Sequence, residues 1–173
     1  MDRKKFFRER HKERDDLTGE HKIGDAGQVI LACLFALIWV SDTFFFNYTT
    51  GLNSYVPFGI RMPFGIALLV LSGYLAKTGL SIVFGEKRDD PGVIRKSVFN
   101  MVRHPIYLSE ILLYLGFLLL NISLAALFVV LVAALFLHYI SRYEEKLLLA
   151  HFGDDYKKYM QEVPMWIPRP WRR

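Results

Sequence analysis

Four apolar stretches dominate the chain and leave little room for a soluble fold. They run from Val29 to Phe46, from Met62 to Phe84, from Ile106 to Leu120 and from Ile122 to Ile140. A helix needs roughly 20 residues, with a range of about 17–25, to cross a hydrocarbon core about 30 Å thick. Three stretches meet that length, and the third is short and is separated from the fourth only by Asn121. The pattern predicts an all-α, polytopic membrane protein with about four transmembrane helices, the last two forming a helical hairpin.

Basic residues alternate between the two sides of these spans. The segment before the first span holds eight Lys and Arg, the first loop holds only Arg61, the second loop five, the hairpin tip none and the tail seven. Cytosolic segments of membrane proteins carry the excess of Lys and Arg, so this alternation predicts four crossings with both termini in the cytosol. The expected location is an integral, multi-pass one in a prokaryotic inner membrane or the endoplasmic reticulum.

The composition argues against a nucleic-acid partner. The chain of 173 residues has a formal net charge of +5, and 53% of it is hydrophobic and 15% aromatic. Its basic residues stand beside the apolar stretches and alternate with acidic ones, which is typical of membrane topology signals. The single cysteine, Cys33, lies inside the first apolar stretch, so we expect neither a metal site nor a redox pair. The expected partner is the lipid bilayer, and the oligomeric state stays open.

The chain divides into three segments. Residues 1–25 mix both signs of charge without an apolar face and are predicted to form a cytosolic N-terminal arm. Residues 26–141 are predicted to form the transmembrane domain, and residues 142–173 a cytosolic C-terminal segment with two short helices. The spans are predicted at about 29–46, 62–84, 105–120 and 122–141.

The two short C-terminal helices have recognisable ends. The first is predicted from Arg142 to Phe152 and stops at Gly153, a residue that favours helix termination. Asp154 caps the second, and Pro164 ends it. The apolar residues of the second helix recur at helical spacing, which predicts that it docks on the membrane domain or lies in the interface. These residues are Tyr156, Tyr159, Met160 and Val163.

Ionisable side chains collect at the predicted cytosolic ends of the spans. Such groups inside a span are costly and are functional candidates by default. Only Asp42 and Arg61 stand at the opposite side. Each of the residues at the cytosolic ends, taken alone, also has a structural explanation instead of a functional one. Lys77 can extend to the interface, and Glu110 can form an ion pair. The group comprises Lys77, Arg103, His104, Glu110, His138, Arg142, Glu144 and Glu145.

The segment from Arg103 to Tyr107 has the features of a helix start that can hold an anion. Proline is favoured in the first helical turn, so the third span is predicted to begin at Pro105. His104 then lies at the helix mouth, where unsatisfied N–H groups favour a carboxylate. Glu144 and Glu145 suit an ammonium group or ribose hydroxyls, although an exposed helix start is the plain alternative for the pair. Together these groups suit a zwitterionic, nucleoside-bearing ligand such as S-adenosylmethionine.

The second half of the chain resembles the isoprenylcysteine carboxyl methyltransferase and phospholipid methyltransferase family. The resemblance covers roughly residues 97–168 and rests on the order and spacing of three motifs. They are Arg103-His104-Pro105-x-Tyr107, Glu144-Glu145-x-x-Leu148, and Phe152-Gly153-x-x-Tyr156-x-x-Tyr159 with a proline-rich end. The chain departs from the family pattern at residues 97–99 and 108–110, and its first half carries no assigned motif.

The resemblance implies an S-adenosylmethionine-dependent methyltransferase that acts at the cytosolic membrane face. Its acceptor would be lipid-linked or a small hydrophobic molecule with a carboxylate, amine or thiol. A carboxylate acceptor needs no base, whereas an amine or a thiol does; His104, His138 or Glu110 can serve. The candidate catalytic residues are His104, Glu110 and Arg142. The cofactor-binding residues that the resemblance implies are Arg103, His104, Pro105, Tyr107, Glu144 and Glu145. The resemblance also implies that the C-terminal segment, residues 142–173, completes the cofactor pocket.

Two other functions stay open on the sequence alone. Membrane sterol and polyprenoid reductases that use NADPH have a similar ending, which Val163-Pro164-Met165-Trp166-Ile167-Pro168 fits well. The motif Arg103-His104-Pro105-x-Tyr107 is nevertheless closer to the one found in the methyltransferases. Outside the enzymes, the alternative is a non-catalytic four-helix membrane adaptor, which the departures from the family pattern leave open.

Overall fold

The described part of the chain is helical. The structure is a computed structural model that describes residues 22–85 and 92–168, with side chains from Gly24 onward. Most of the predicted N-terminal arm lies outside the described residues. The prediction of an all-α fold is confirmed. Within the described ranges the α-helices are α1 (Lys22–Ser41), α2 (Phe58–Gly85), α3 (Pro105–Leu120), α4 (Leu124–Phe152) and α5 (Asp154–Glu162).

Three helical segments in the described residues are long and apolar enough to cross a bilayer. They are Gly24–Phe46, Phe58–Gly85 and Leu124–Phe152, and the first comprises α1 with a π-helical extension at Asp42–Phe46. The fourth predicted span, α3, is apolar but has 16 residues, which correspond to about 24 Å of helix. The protein is therefore a multi-pass membrane protein, and α3 and α4 form the predicted hairpin.

Helices α2 and α3 are packed most closely, in antiparallel directions. Gly65 allows the two backbones to approach, because a Cβ atom there would lie 3.0 Å from the carbonyl oxygen of Gly116. One heptad further on, the hydroxyl of Ser72 donates a hydrogen bond to the carbonyl oxygen of Ser109 at 2.6 Å. Small residues and interhelical hydrogen bonds are the usual means of helix association in a bilayer, where apolar burial between helices gains little. These contacts position the N-terminus of α3 beside the C-terminal end of α2.

Helix α1 lies antiparallel against α4, with α3 beside both. The ring of Phe35 packs on that of Tyr114 in α3, with ring centroids 4.5 Å apart. Near the other end of α1, the indole nitrogen of Trp39 donates to the carbonyl oxygen of Asn121 at 3.0 Å. The buried side chains between the three helices form the main core, which includes Phe35, Tyr114, Leu118, Ala126, Val129, Val130 and Ala133.

A polar cluster joins the hairpin tip to the loop after α1. Asp42 is 6% exposed; its carboxylate accepts from the hydroxyl of Ser123 at 2.6 Å and from the amide of Thr49 at 3.1 Å. Arg61 of α2 donates to the carbonyl oxygen of Leu120 at 3.2 Å, which satisfies one of the last carbonyl groups of α3. Asp42 and Arg61 therefore lie at the hairpin-tip end, away from the other ionisable candidates, as predicted.

Helix α4 continues well past the predicted end of the fourth span. The prediction of a separate helix from Arg142 to Phe152 is wrong, because α4 is one helix of 29 residues. The charged residues after Ser141 do not interrupt it, since Glu, Lys, Leu and Ala are all good helix formers. The helix ends only at Gly153, whose φ of 55° suits glycine. Helix α5 then buries Tyr156, Tyr159 and Val163, which confirms its predicted docking.

Candidate functional site

A cavity lies at the end of the bundle opposite the hairpin tip. Its volume is about 370 Å³, within the range of about 300–1,000 Å³ usual for small-molecule sites. Leu80, Val83 and Phe84 of α2 supply part of an apolar wall, together with Val93 and Ile94 of the following loop. Polar groups from the start of α3 and the end of α4 line the rest: Arg103, His104, Tyr107 and Glu144.

The start of α3 places the histidine motif at the cavity. The helix begins at Pro105 with His104 as its N-terminal cap residue, which confirms the predicted start. His104 is 7% exposed, and its ring stacks on that of Tyr107 with centroids 5.7 Å apart and an interplanar angle of 3°. The spacing of three residues puts both rings on one side of the helix start. Pro105 lines the same cavity.

Glu144 of α4 meets the histidine motif across the cavity wall. The hydroxyl of Tyr107 donates a hydrogen bond to Glu144 Oε1, and Glu144 Oε2 lies 3.8 Å from His104 Nδ1. Two motifs that are far apart in sequence therefore bring an imidazole, a phenol and a carboxylate to one wall.

Glu145 faces away from the cavity that its neighbour lines. It is 2% exposed, and it is not among the lining residues. Its Oε1 atom accepts a hydrogen bond from Arg103 Nε at 2.6 Å and lies 3.3 Å from His104 Nε2. A buried carboxylate needs such partners, because removal from water is costly for an unpaired charge. The two adjacent glutamates thus have different surroundings, one at the cavity and one behind His104.

Arg103 links the site to the C-terminal segment. Besides the ion pair with Glu145, its guanidinium Nη1 donates to the carbonyl oxygens of Met160 at 3.0 Å and Val163 at 2.5 Å. Its backbone amide donates to the carbonyl oxygen of Pro164 at 2.9 Å. The sequence predicted a cofactor contact for this residue, and in the structure its hydrogen bonds hold the end of α5 against the start of α3.

Trp166 packs beside the site. Its ring centroid lies 6.0 Å from that of His104 and 6.4 Å from that of His138. Its indole nitrogen donates to His138 Nδ1 at 3.2 Å. Trp166 thereby contacts both His104 and His138 of α4.

Two candidate catalytic residues, Glu110 and Arg142, do not line the cavity. Glu110 lies inside α3 and accepts a hydrogen bond from the hydroxyl of Tyr114, one turn on. The side chain of Arg142 is 60% exposed, with Nη1 3.9 Å from Glu145 Oε2. Lys77 is exposed on α2. Of the ionisable group identified in the sequence, the structure brings Arg103, His104 and Glu144 to the cavity wall, with Glu145 behind it.

The structure adds cavity residues that sequence analysis did not assign. Tyr156 and Tyr159 of α5 line the cavity, and the hydroxyl of Tyr159 donates to the carbonyl oxygen of Phe99 at 2.7 Å. Their helical spacing predicted docking but not contact with a ligand site. Asp25 and Gln28 of α1 also line it, and no pattern in the sequence singled them out.

His104 and the two tyrosines of α5 at the cavity are uncharged at neutral pH. Burial lowers the pKa of His104 below its ordinary value of 6.5, and the hydrogen bond and charge of Glu145 oppose that shift. Burial also raises the pKa of Tyr156 and of Tyr159. The wall therefore presents a neutral imidazole and neutral hydroxyl groups beside the carboxylate of Glu144.

Apolar helices around a cavity with a histidine–carboxylate–tyrosine wall define a membrane protein with a small-molecule site. A model of the family described as phospholipid methyltransferase matches residues 59–155, more than half of the chain. The chain belongs to the phospholipid methyltransferase family. The resemblance predicted from the C-terminal motifs is confirmed. The match also reaches into α2, in the half of the chain that carried no assigned motif.

A curated relative gives a second comparison. The chain is 29% identical over 146 residues to a methanethiol S-methyltransferase of Crocosphaera subtropica (strain ATCC 51142 / BH68). The alignment covers 82% of this chain and 48% of the relative, so the chain spans about half the length of that protein. No solved structure matches the chain.

Proposed function

We propose that the protein is an S-adenosylmethionine-dependent methyltransferase that acts on a lipid-linked or small hydrophobic acceptor. The observation that carries the proposal is the meeting of His104, Tyr107 and Glu144 at one cavity wall, in a chain of the phospholipid methyltransferase family. The relative named as a methanethiol S-methyltransferase supports methyl transfer as the reaction class. S-adenosylmethionine supplies a methyl group already activated on a sulfonium, so the protein has mainly to align the two substrates.

The groups around the cavity fit S-adenosylmethionine. Glu144 offers a carboxylate to an ammonium group or to ribose hydroxyls. The first N–H groups of an α-helix have no acceptor within the helix, so the start of α3 suits the carboxylate of the ligand. The ring of Tyr156 offers an aromatic surface to a base or a sulfonium. Since His104 is neutral, it adds no positive charge next to the sulfonium.

The apolar wall supports a hydrophobic acceptor. Leu80 and Phe84 line the cavity and are also 42% and 41% exposed on the surface of the helix bundle. An acceptor with an apolar tail can therefore contact α2 in the bilayer and the cavity at the same time. A small apolar acceptor can occupy the cavity without such a tail.

A nicotinamide-dependent reductase is less well supported. The phosphates of NADPH call for cationic partners. Among the described residues that line the cavity, Arg103 is the cation. Its guanidinium already donates to Glu145, Met160 and Val163.

We place both termini and the cavity in the cytosol, because the basic residues alternate along the chain. A single cysteine introduced at Ser54, in a Cys33→Ala background, is expected to react with a membrane-impermeant thiol reagent added from outside. A cysteine at Ser97 is expected to react only after the membrane is permeabilised. Reaction of the Ser97 variant in intact cells would contradict this orientation.

Ligand binding tests the proposed function directly. Saturating S-adenosylhomocysteine, at about 100 times its dissociation constant, should stabilise the folded protein by about 2.7 kcal/mol. Thermal unfolding of the detergent-purified protein, followed with and without the ligand, measures this. NADPH at the same concentration serves as the control and should have no effect. Stabilisation by NADPH alone would favour the reductase instead.

A further inference from the structure

The two adjacent glutamates contact opposite sides of the same histidine. Glu145 Oε1 lies 3.3 Å from Nε2 of His104, whereas Glu144 Oε2 lies 3.8 Å from Nδ1. Glu145 is buried with Arg103, whereas Glu144 lines the cavity. The imidazole therefore has one nitrogen towards a buried ion pair and the other towards the side of the ligand site.

The hydrogen-bond partners of Glu145 assign the tautomer of His104. Glu145 forms a 2.6 Å ion pair with Arg103, so it is a carboxylate and can only accept hydrogen bonds. The contact from His104 Nε2 is then a hydrogen bond only if Nε2 carries the proton. A neutral imidazole with its proton on Nε2 has a lone pair on Nδ1. The described residues include no donor that bonds to that lone pair.

We propose that Glu145 is a positioning residue that holds the proton of His104 on Nε2, so that Nδ1 is the base that deprotonates a thiol acceptor. This inference rests on the proposed methyl transfer and names the acceptor class. The same logic, a buried carboxylate that orients a histidine and stabilises its protonated form, operates in serine protease triads. It assigns ligand binding to Glu144 and positioning to Glu145, which sequence analysis had grouped together.

The reaction balances without any further reactant. The S–H bond of the acceptor breaks, and its proton goes to His104 Nδ1. The electron pair left on the acceptor sulfur forms the new bond to the methyl carbon. The bond from that carbon to the donor sulfur breaks, and its electron pair stays on the donor, which becomes a neutral thioether. One positive charge passes from the sulfonium to the imidazolium, so the net charge of the site does not change.

A thiol suits this site better than the other acceptors. A carboxylate is ionised at neutral pH and needs no base. An ammonium group would bring a second cation beside the sulfonium. A thiol is neutral, with an ordinary pKa of about 8.5, so it can lie against the apolar wall and still requires removal of a proton. Small alkyl thiols also match the named acceptor of the curated relative.

The charged and titratable groups around His104 come from several elements. Any pH profile therefore reports on the whole group. These groups are Arg103, which precedes His104 in the chain, Tyr107 on α3, and His138, Glu144 and Glu145 on α4. Asp25 of α1 lines the same cavity.

The tautomer can be measured without substrate. With ¹⁵N-labelled histidine in the detergent-purified protein, the His104 signal is identified by its loss in His104→Asn. At pH 7 we expect shifts of a protonated Nε2 and an unprotonated Nδ1. A proton on Nδ1 in the wild-type protein would overturn the proposal, whether or not S-adenosylhomocysteine binds.

A matched pair of variants supplies the kinetic test, with methanethiol as the acceptor. Glu145→Gln keeps an oxygen for Arg103 and His104 but removes the charge that stabilises the imidazolium. We expect kcat to fall about 10- to 100-fold, part of the 10²–10⁴ that a general base contributes. The pH at which activity is half-maximal should also move down, because Glu145 holds the pKa of His104 up. Affinity for S-adenosylhomocysteine should change little.

Glu144→Gln, the same substitution one residue earlier, is expected to weaken ligand binding rather than proton transfer. Its S-adenosylhomocysteine affinity should fall about tenfold, as for loss of one charged hydrogen bond, and its pH profile should keep its midpoint. Equal loss of affinity in both variants, with unchanged midpoints, would make both glutamates ligand contacts and overturn the positioning role. If Glu145→Gln does not fold, the ¹⁵N measurement on the wild-type protein decides. Full activity of Glu145→Gln at every pH would also refute the proposal.

Discussion

Replacement of His104 by asparagine is expected to lower methyl transfer by about 10²–10⁴-fold, the contribution of a general base, while the protein stays folded. Asparagine is among the best residues at a helix N-terminal cap, so the start of α3 should survive the change. The buried imidazole, however, contacts both Glu144 and Glu145. The measurement is the rate with saturating methyl donor and acceptor, beside the thermal unfolding temperature of the same preparation.

Tyr107→Phe is the matched control for that change. Phenylalanine keeps the ring that stacks on His104 and removes only the hydroxyl that donates to Glu144. We expect a milder loss, because the ring contact remains. If His104→Asn lowered the affinity for the methyl donor without changing the rate constant, His104 would be a binding residue. Full activity of His104→Asn would show that the motif only starts the helix.

The helical membrane architecture was predictable because the length of an apolar stretch is a strong signal. The ends of the helices were less predictable. The second span was predicted from residue 62, yet α2 begins at Phe58 and contains Pro63 in its second turn, where the ring removes one backbone hydrogen bond without ending the helix. The fourth span was predicted to stop near 141, yet α4 continues to Phe152. Apolar composition indicates which part of a helix contacts lipid, but the helix itself can continue beyond that part into water.

The candidate site was predictable in its members but not in their contacts. Glu144 and Glu145 look equivalent in the sequence, yet successive helix positions point about 100° apart, so one lines the cavity while the other is buried behind His104. Which of them faces the ligand depends on the rotation of α4 against α3, and no local pattern encodes that. The contacts of Arg103 were not predictable for a related reason, because its partners Met160 and Val163 come from a segment whose docking position follows only from the tertiary fold.

Removal of the Arg103 charge is expected to have the largest effect on stability. Its side chain is 8% exposed and pairs with a glutamate that is 3% exposed. Breaking a buried pair from one side typically costs about 3–5 kcal/mol, because the other charge is left without compensation. Arg103→Met should therefore lower the free energy of unfolding by that amount and loosen residues 160–164. Denaturation of the detergent-solubilised protein and proteolysis of the C-terminal segment measure the two effects.

Arg95→Met is the control, since Arg95 contacts the same helix from the surface. Its ion pair with Glu162 joins side chains that are 35% and 52% exposed, and such pairs contribute about 0–1 kcal/mol. The double variant Arg103→Met with Glu145→Leu should recover part of the stability, because an apolar pair of similar volume can replace a buried ion pair. It should not recover methyl transfer, since His104 Nε2 then lacks its acceptor. If Arg103→Met instead kept full stability and lost only S-adenosylhomocysteine binding, Arg103 would be a ligand contact. The remaining contacts of the C-terminal segment, including the apolar ones of Tyr156, Tyr159 and Val163, would then suffice to hold it.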